Sequence, residues 1–193
     1  MLVDLSLLVA EEMVRSVFDL EKKSAALGHL GTHFDVMDKE FPLSYVIREG
    51  VVFDVEEVVR HDADVEIDVK HIDLSIIEQD TFVAFYSGFG KKHPYGTEEY
   101  SKKHPQLSDK LIDALLDKKI SIIGIDFAGI KRDPEHSVKD QYCADRGVFI
   151  VENLCNLDRV LKDRDHAFCT FYTFPIKFAG WTGLPCRVVA EVD

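Results

Sequence analysis

The apolar run Ile120-Ser121-Ile122-Ile123-Gly124-Ile125 constrains the fold more than any other stretch of this chain. Short and rich in β-branched residues, it suits a strand buried on both faces, the setting that parallel sheets provide. Asp126 closes the run. A helical pattern follows from about Glu135 to Arg146, stopped by Gly147, and Val148 to Val151 then reads as the next buried strand, ending at Glu152. The result is a β-α-β unit. Ligands in open α/β sheets gather outside the carboxyl ends of strands, so Asp126 and Glu152 stand where function is expected.

Further elements flank this unit. Tyr45 to Val55, β-branched around Gly50, reads as two short strands or one bent strand, and Thr81 to Tyr86 as a clearer one. A polar loop with His93, Gly96 and His104 follows. Ser108 then has the character of an N-cap, ahead of the helical stripe Leu111, Ile112, Leu115 and Leu116. Ala167 to Phe174 and Arg187 to Val192 predict two more strands, joined by a turn-rich stretch from Phe178 to Pro185. The expected fold is a single mixed α/β domain with an extended β portion.

Bulk properties narrow the function. With 193 residues, 46% of them hydrophobic, the chain can bury one substantial core, and no linker or repeat divides it, so 1–193 is read as one domain. The apolar runs fall short of the roughly 20 residues a membrane span needs. The amino-terminal segment carries Asp4, Glu11 and Glu12 and no basic region, unlike a secretory signal, which points to a cytoplasmic protein. A formal net charge of -12 argues against a nucleic-acid partner, which needs a basic footprint. Cys143, Cys155, Cys169 and Cys186 form no CxxC pair and read as reduced thiols.

Chemistry concentrates in His29-Leu30-Gly31-Thr32-His33-Phe34-Asp35. Imidazole and carboxylate together suit zinc or manganese. Gly31, Thr32 and Val36 are weak helix formers, whereas period-two alternation sets His29, Gly31, His33 and Asp35 on one side and Leu30, Phe34 and Val36 on the other. In a straight strand the two histidines would stand roughly 13 Å apart at Cα. Either the chain bends at Gly31 or two ions are bound.

Taken with Gly124-Ile125-Asp126, Val151-Glu152-Asn153-Leu154, Asn156-Leu157 and Gly183-Leu184-Pro185-Cys186-Arg187-Val188-Val189-Ala190, this segment resembles the cyclase family of metal-dependent hydrolases, which includes kynurenine formamidase and isatin hydrolase. The resemblance implies a swivelling β/β/α domain, usually in a homo-oligomer (a dimer or tetramer), with one or two zinc or manganese ions that activate water to open an amide. It implies His29, His33, Asp35 and Glu152 as ligands, with Asp35 able to bridge two ions. Two departures stand out. The family continues with a proton-transferring histidine where this chain has Lys39, two places after Met37 and beside Glu40. It also places a histidine twelve residues ahead of the glutamate, where this chain has Asp140; His136 lies one helical turn earlier, on the same face.

The resemblance therefore leaves His136, Lys39 and Glu40 as candidates for proton transfer, and either Asp140 or His136 as a further ligand. Lys39 could act as a base only if burial and nearby positive charge lowered its pKa. Family members often carry substrate-facing groups in the loop that here holds His93, Tyr95, Tyr100 and His104, and Phe178 and Trp181 are candidates for a pocket border. Arg187 is a candidate for a substrate carboxylate, with a structural ion pair as the alternative. The expected activity is hydrolysis of a C–N bond in a small amide, formamide or cyclic amide, of the arylformamidase type. The alternatives are a small-molecule binding protein that keeps the metal cradle, and a metal-dependent lyase or cyclase.

Overall fold

The strands predicted to be buried on both faces are so because the sheet rolls into a closed ring and helices cover part of its outside. A computed structural model describes residues 1–7, 28–62 and 64–192; the acids Glu11 and Glu12, which bear on the signal-peptide reading, lie outside the described residues. The strands are β1 (Leu2–Asp4), β2 (His33–Asp35), β3 (Ile47–Asp54), β4 (Phe82–Tyr86), β5 (Ile122–Ile125), β6 (Phe149–Glu152), β7 (His166–Pro175) and β8 (Gly183–Glu191). Strands β3, β4, β5 and β6 run parallel. Antiparallel β7 and β8 continue from β3, and β2 lies between β8 and β6, antiparallel to both, which completes a ring of seven strands. Strand β1 adds to the edge of β8.

Alternate residues of the central strands feed two cores. Phe82, Ala84 and Tyr86 of β4 and Ile122 of β5 join Phe34, Val52, Val151, Phe171, Leu184 and Val188 in one. Val83, Phe85, Ile123, Ile125 and Ile150 point the other way, against Leu111, Ile112 and Leu115. Period-two alternation thus serves two apolar environments, and the parallel strands read as continuous apolar runs. On β7, by contrast, Phe168 and Phe174 alternate outward to solvent.

The helices are α1 (Glu56–Val59), α2 (Phe89–Lys92), α3 (Glu98–Lys102), α4 (Asp109–Asp117), α5 (His136–Ala144) and α6 (Leu157–Leu161). At the start of α4 the Ser108 hydroxyl accepts from the Leu111 amide at 3.1 Å, the predicted cap. Short α2 and α3 occupy the loop expected to be irregular. Tyr45 to Val55 holds one strand, the second of the two readings the sequence left open. Two sequence expectations are corrected. His29 is not in a strand, since β2 begins at His33. Residues 183–185, read as a turn, begin β8 and pair with β2. Pro185 fits there because its carbonyl accepts from the Ile176 amide at 3.0 Å while it has no amide of its own to satisfy.

All four cysteines are free. Among the described residues, no helix is long and apolar enough to cross a membrane.

Gly50 shows how tightly β3 packs. A Cβ there would lie 2.1 Å from the Phe82 carbonyl oxygen and 2.8 Å from the Phe171 ring, which stacks on Phe82 at 3.9 Å. Gly50→Ala is expected to destabilise the fold by about 1–3 kcal/mol, as overpacking does, lowering the urea midpoint at unchanged slope; an unchanged midpoint would contradict this packing.

Candidate metal centre

Ring closure builds the site. Register pairs His33 with Glu152 across β2 and β6, so the two side chains emerge side by side while the alternate residue Phe34 is fully buried in the core. Asp35, two residues on, shares the His33 face. Gly31, at φ 69°, turns the chain back ahead of β2, which settles the geometric question of how His29 reaches its neighbours. His29 Nδ1 lies 2.9 Å from Asp35 Oδ1 and 3.2 Å from His33 Nε2. From the other side, the first turns of α5 direct His136 and Asp140 from one helix face: His136 Nε2 is 3.1 Å from Asp140 Oδ2 and 3.0 Å from Glu152 Oε1. His33 Nε2 stands 3.6 Å from both Asp35 Oδ1 and Glu152 Oε2.

Two donor sets result, His29–His33–Asp35 and Asp35–His136–Asp140–Glu152, each with ligand atoms within 4.8 Å of one another and sharing Asp35. Asp140 and His136, the alternatives left open by sequence, thus both enter the cluster. The remaining ring nitrogens of His29 and His33 are engaged elsewhere. His33 Nδ1 lies 2.9 Å from the Gly31 carbonyl oxygen, and His29 Nε2 2.9 Å from the Thr182 hydroxyl. These contacts aim His29 through Nδ1 and His33 through Nε2 at the shared carboxylates.

Burial makes the charges interact strongly. His33 is pushed up to about 9: burial opposes the charged form, but Asp35 and then Glu152 outweigh it. Hydrogen bonds to Asp140 and Glu152 carry His136 up to about 11. Burial raises the Asp140 carboxyl to about 7, with the negative charges of Asp35 and Glu152 adding to the effect against His136. Glu152 is likewise raised, by burial and Asp35. Asp35 goes the other way, held well below the usual carboxylate range because His33 and His29 overcome its burial.

The donors fit a divalent cation. Asp35 Oδ2 and Asp140 Oδ1 are buried with no hydrogen-bond partner. Each orphaned polar atom costs about 1–3 kcal/mol, a cost that a cation held among mixed imidazole and carboxylate donors would remove.

Other candidate residues lie apart from the cluster. Lys39 bridges Asp38 and Asp145 at 2.8 Å each, and these carboxylates raise its pKa, opposite to the shift a base requires. Glu40 is exposed. Asp126, at the end of β5, is a fastener: its carboxylate accepts from the Ser87 amide and hydroxyl and from the Gly88 amide, at 3.0, 2.6 and 2.9 Å. His104 is buried with its ring stacked on Phe127, and burial lowers it to about 4; half-buried His93 stacks on Phe89. Arg187 forms the structural ion pair, its guanidinium on Asp4 at 2.7 Å. Phe178 and Trp181 pack with tilted rings, centroids 4.3 Å apart, and Trp181 precedes the Thr182 that contacts His29. Sequence reasoning missed Thr182, the roles of Tyr95 and Asn153, which contact the Gly31 turn, and that of Tyr100, which holds Asn153. Asn153 adopts a positive φ, which asparagine tolerates, but the residue type alone does not reveal it.

Residues 3–132, which carry His29, His33 and Asp35, match the cyclase family, and the chain belongs to that family. No curated protein sequence matches it. Solved structures share its fold. Isatin hydrolase A from Labrenzia aggregata, bound to benzyl benzoate, is 19% identical with a TM-score of 0.74, covering 100% of this chain and 93% of its own. A potential metal-dependent hydrolase with cyclase activity is 22% identical with a TM-score of 0.71, covering 98% and 96%. A predicted metal-dependent hydrolase from Bacillus stearothermophilus is 20% identical with a TM-score of 0.68, covering 98% and 97%.

Because His33 is raised to about 9, it is protonated at pH 7 without a cation and must lose a proton to become a ligand. Affinity for Zn²⁺ or Mn²⁺ is therefore expected to rise as pH increases from 6 through 9, with protons released on binding. Calorimetry in buffers of different ionisation enthalpy measures this; affinity independent of pH would contradict it.

Proposed function

We propose that this chain is a metal-dependent hydrolase of the arylformamidase-like type, cleaving a C–N bond in a small amide, formamide or cyclic amide. The observation that carries the reading is the cluster of three imidazoles and three buried carboxylates with two orphaned oxygens. His29, His33, Asp35, Glu152 and Asp140 would hold the cation, zinc foremost and manganese the alternative, with shared Asp35 allowing one ion or two. When bound, the cation supplies Lewis acidity, making water nucleophilic at neutral pH and polarising the scissile carbonyl.

His136 is the residue suited to move the proton. Its side chain is 30% exposed, against 2% for Asp140, so it alone of that pair offers the substrate side a titratable edge. Its Nε2 faces Glu152 at 3.0 Å. Asp140 and Glu152 raise its pKa, and neutralising their charge would bring it back toward the range of a general acid and base. His136 then takes a proton from water and returns it to the departing nitrogen. Lys39 and Glu40, placed at the surface, are set aside.

A formal net charge of -12 and the resemblance support a small-molecule substrate and a cytoplasmic setting. Exposed Phe168, Phe174 and Ile176 support assembly into a dimer or tetramer, which sedimentation of the purified protein would contradict by finding a monomer.

The test uses protein purified without chelator. Zn, Mn or Fe should co-purify, and formanilides, isatin or simple lactams should be opened with uptake of oxygen from labelled water. His136→Gln is expected to lower kcat by about 10²–10⁴-fold with metal content unchanged. Failure to bind any of these ions overturns the reading; turnover without oxygen uptake would assign a lyase or cyclase instead.

A further inference from the structure

The Gly31 carbonyl, at the turn that separates His29 from His33, takes two hydrogen bonds. One comes from His33 Nδ1 at 2.9 Å and the other from Asn153 Nδ2, also at 2.9 Å. A carbonyl can only accept, so these contacts fix two choices together. His33 must carry a proton on Nδ1, so the proton it gives up to become a ligand is the one on Nε2, which faces Asp35 and Glu152. Asn153 must present its NH₂ to Gly31, which leaves Oδ1 for the Tyr100 hydroxyl at 2.6 Å.

The surroundings hold this arrangement in place. Asn153 is 2% exposed, directly follows Glu152, and adopts φ 59°. Its own carbonyl accepts from the Thr32 hydroxyl at 2.8 Å, tying the end of β6 to the turn ahead of β2. On the opposite side of that turn the Gly31 amide donates to the Tyr95 hydroxyl at 2.9 Å, and the Tyr95 and Tyr100 rings meet edge to face. Burial raises the Tyr100 hydroxyl, so it remains a donor.

We propose that Asn153, locked in orientation by Tyr100, is a positioning residue that sets the tautomer and aim of His33 through the Gly31 carbonyl. It touches neither substrate nor cation. The proposal rests on the metal-centre reading above and adds a chain of control, Tyr100 to Asn153 to Gly31 to His33, that begins outside the donor set. Partners one step removed from a metal set ligand orientation, and their loss typically weakens affinity by about 10–100-fold.

Asn153→Gly tests the proposal cleanly, because glycine accepts the positive φ and keeps the carbonyl that binds Thr32. Affinities for Zn²⁺ and Co²⁺ are measured by chelator competition, along with the visible spectrum of the cobalt form and the melting temperature of the metal-free protein. The expected result is a loss of affinity of about 10–100-fold in Asn153→Gly with an altered cobalt spectrum. Tyr100→Phe should give a smaller loss in the native background and no further loss in the Asn153→Gly background. A merely structural role would lower the metal-free melting temperature and leave affinity and spectrum unchanged, which overturns the proposal. So would equal Tyr100→Phe losses in both backgrounds. Should Asn153→Gly fail to fold, Tyr100→Phe alone decides, unchanged affinity and spectrum counting against it. A native protein that binds no cation would instead overturn the metal-centre reading itself.

Discussion

Strand β2 contributes only three residues, yet it sits between β6 and β8 and closes the ring. Period-two alternation then does two jobs in three positions. Phe34 enters the core, and His33 and Asp35 emerge on the opposite face beside Glu152. Slipping the register by one residue would bury the polar pair in the apolar core and move Phe34 into the acidic cluster. Closure and site assembly are consequently one structural event. A change that weakens β2 pairing would be felt in both.

The cluster is a compromise between burial and charge. Three carboxylates, Asp35, Asp140 and Glu152, lie almost fully out of solvent, and each would repel the others if left alone. His29, His33 and His136 interleave with them and hold the arrangement together without a cation. The compensation is incomplete, since Asp35 and Asp140 each retain an oxygen with no partner. The same features that make the metal-free cluster tolerable, raised imidazole pKa values foremost, make cation uptake a competition with protons. Asn153 and the two tyrosines act on this balance from outside the donor set, by constraining the turn that carries His33.

Much of this was legible in the sequence where local pattern and tertiary role agree. The Ile120–Ile125 strand, the helix bearing His136 and Asp140, and the strand ending at Glu152 emerged from short apolar runs and the Gly147 stop signal. The alternation of His33, Phe34 and Asp35 emerged from its period of two. Less legible were features set by distant partners. His29 belongs to the cluster through a turn at Gly31, not through strand periodicity, and a sequence shows the glycine without the direction of the bend. Residues 183–185 look like a turn because glycine and proline break isolated strands, but here β2 and Ile176 supply the partners that override local preference. Lys39 stands at a meaningful count from Asp35, yet Asp38 and Asp145 draw its ammonium to the surface. The orienting role of Asn153 depends on Tyr100, 53 residues away, and no spacing rule reveals it.

Whether a divalent cation occupies this cluster decides the function proposed for the chain. The most direct measurement is an anomalous-scattering map of crystals grown with Zn²⁺ or Mn²⁺. A peak is expected among His29, His33, Asp35 and Glu152, at about 2.0–2.2 Å from His33 Nε2 and an Asp35 oxygen. Crystals saturated with metal that show no peak there, or show it only at surface carboxylates, would contradict the account.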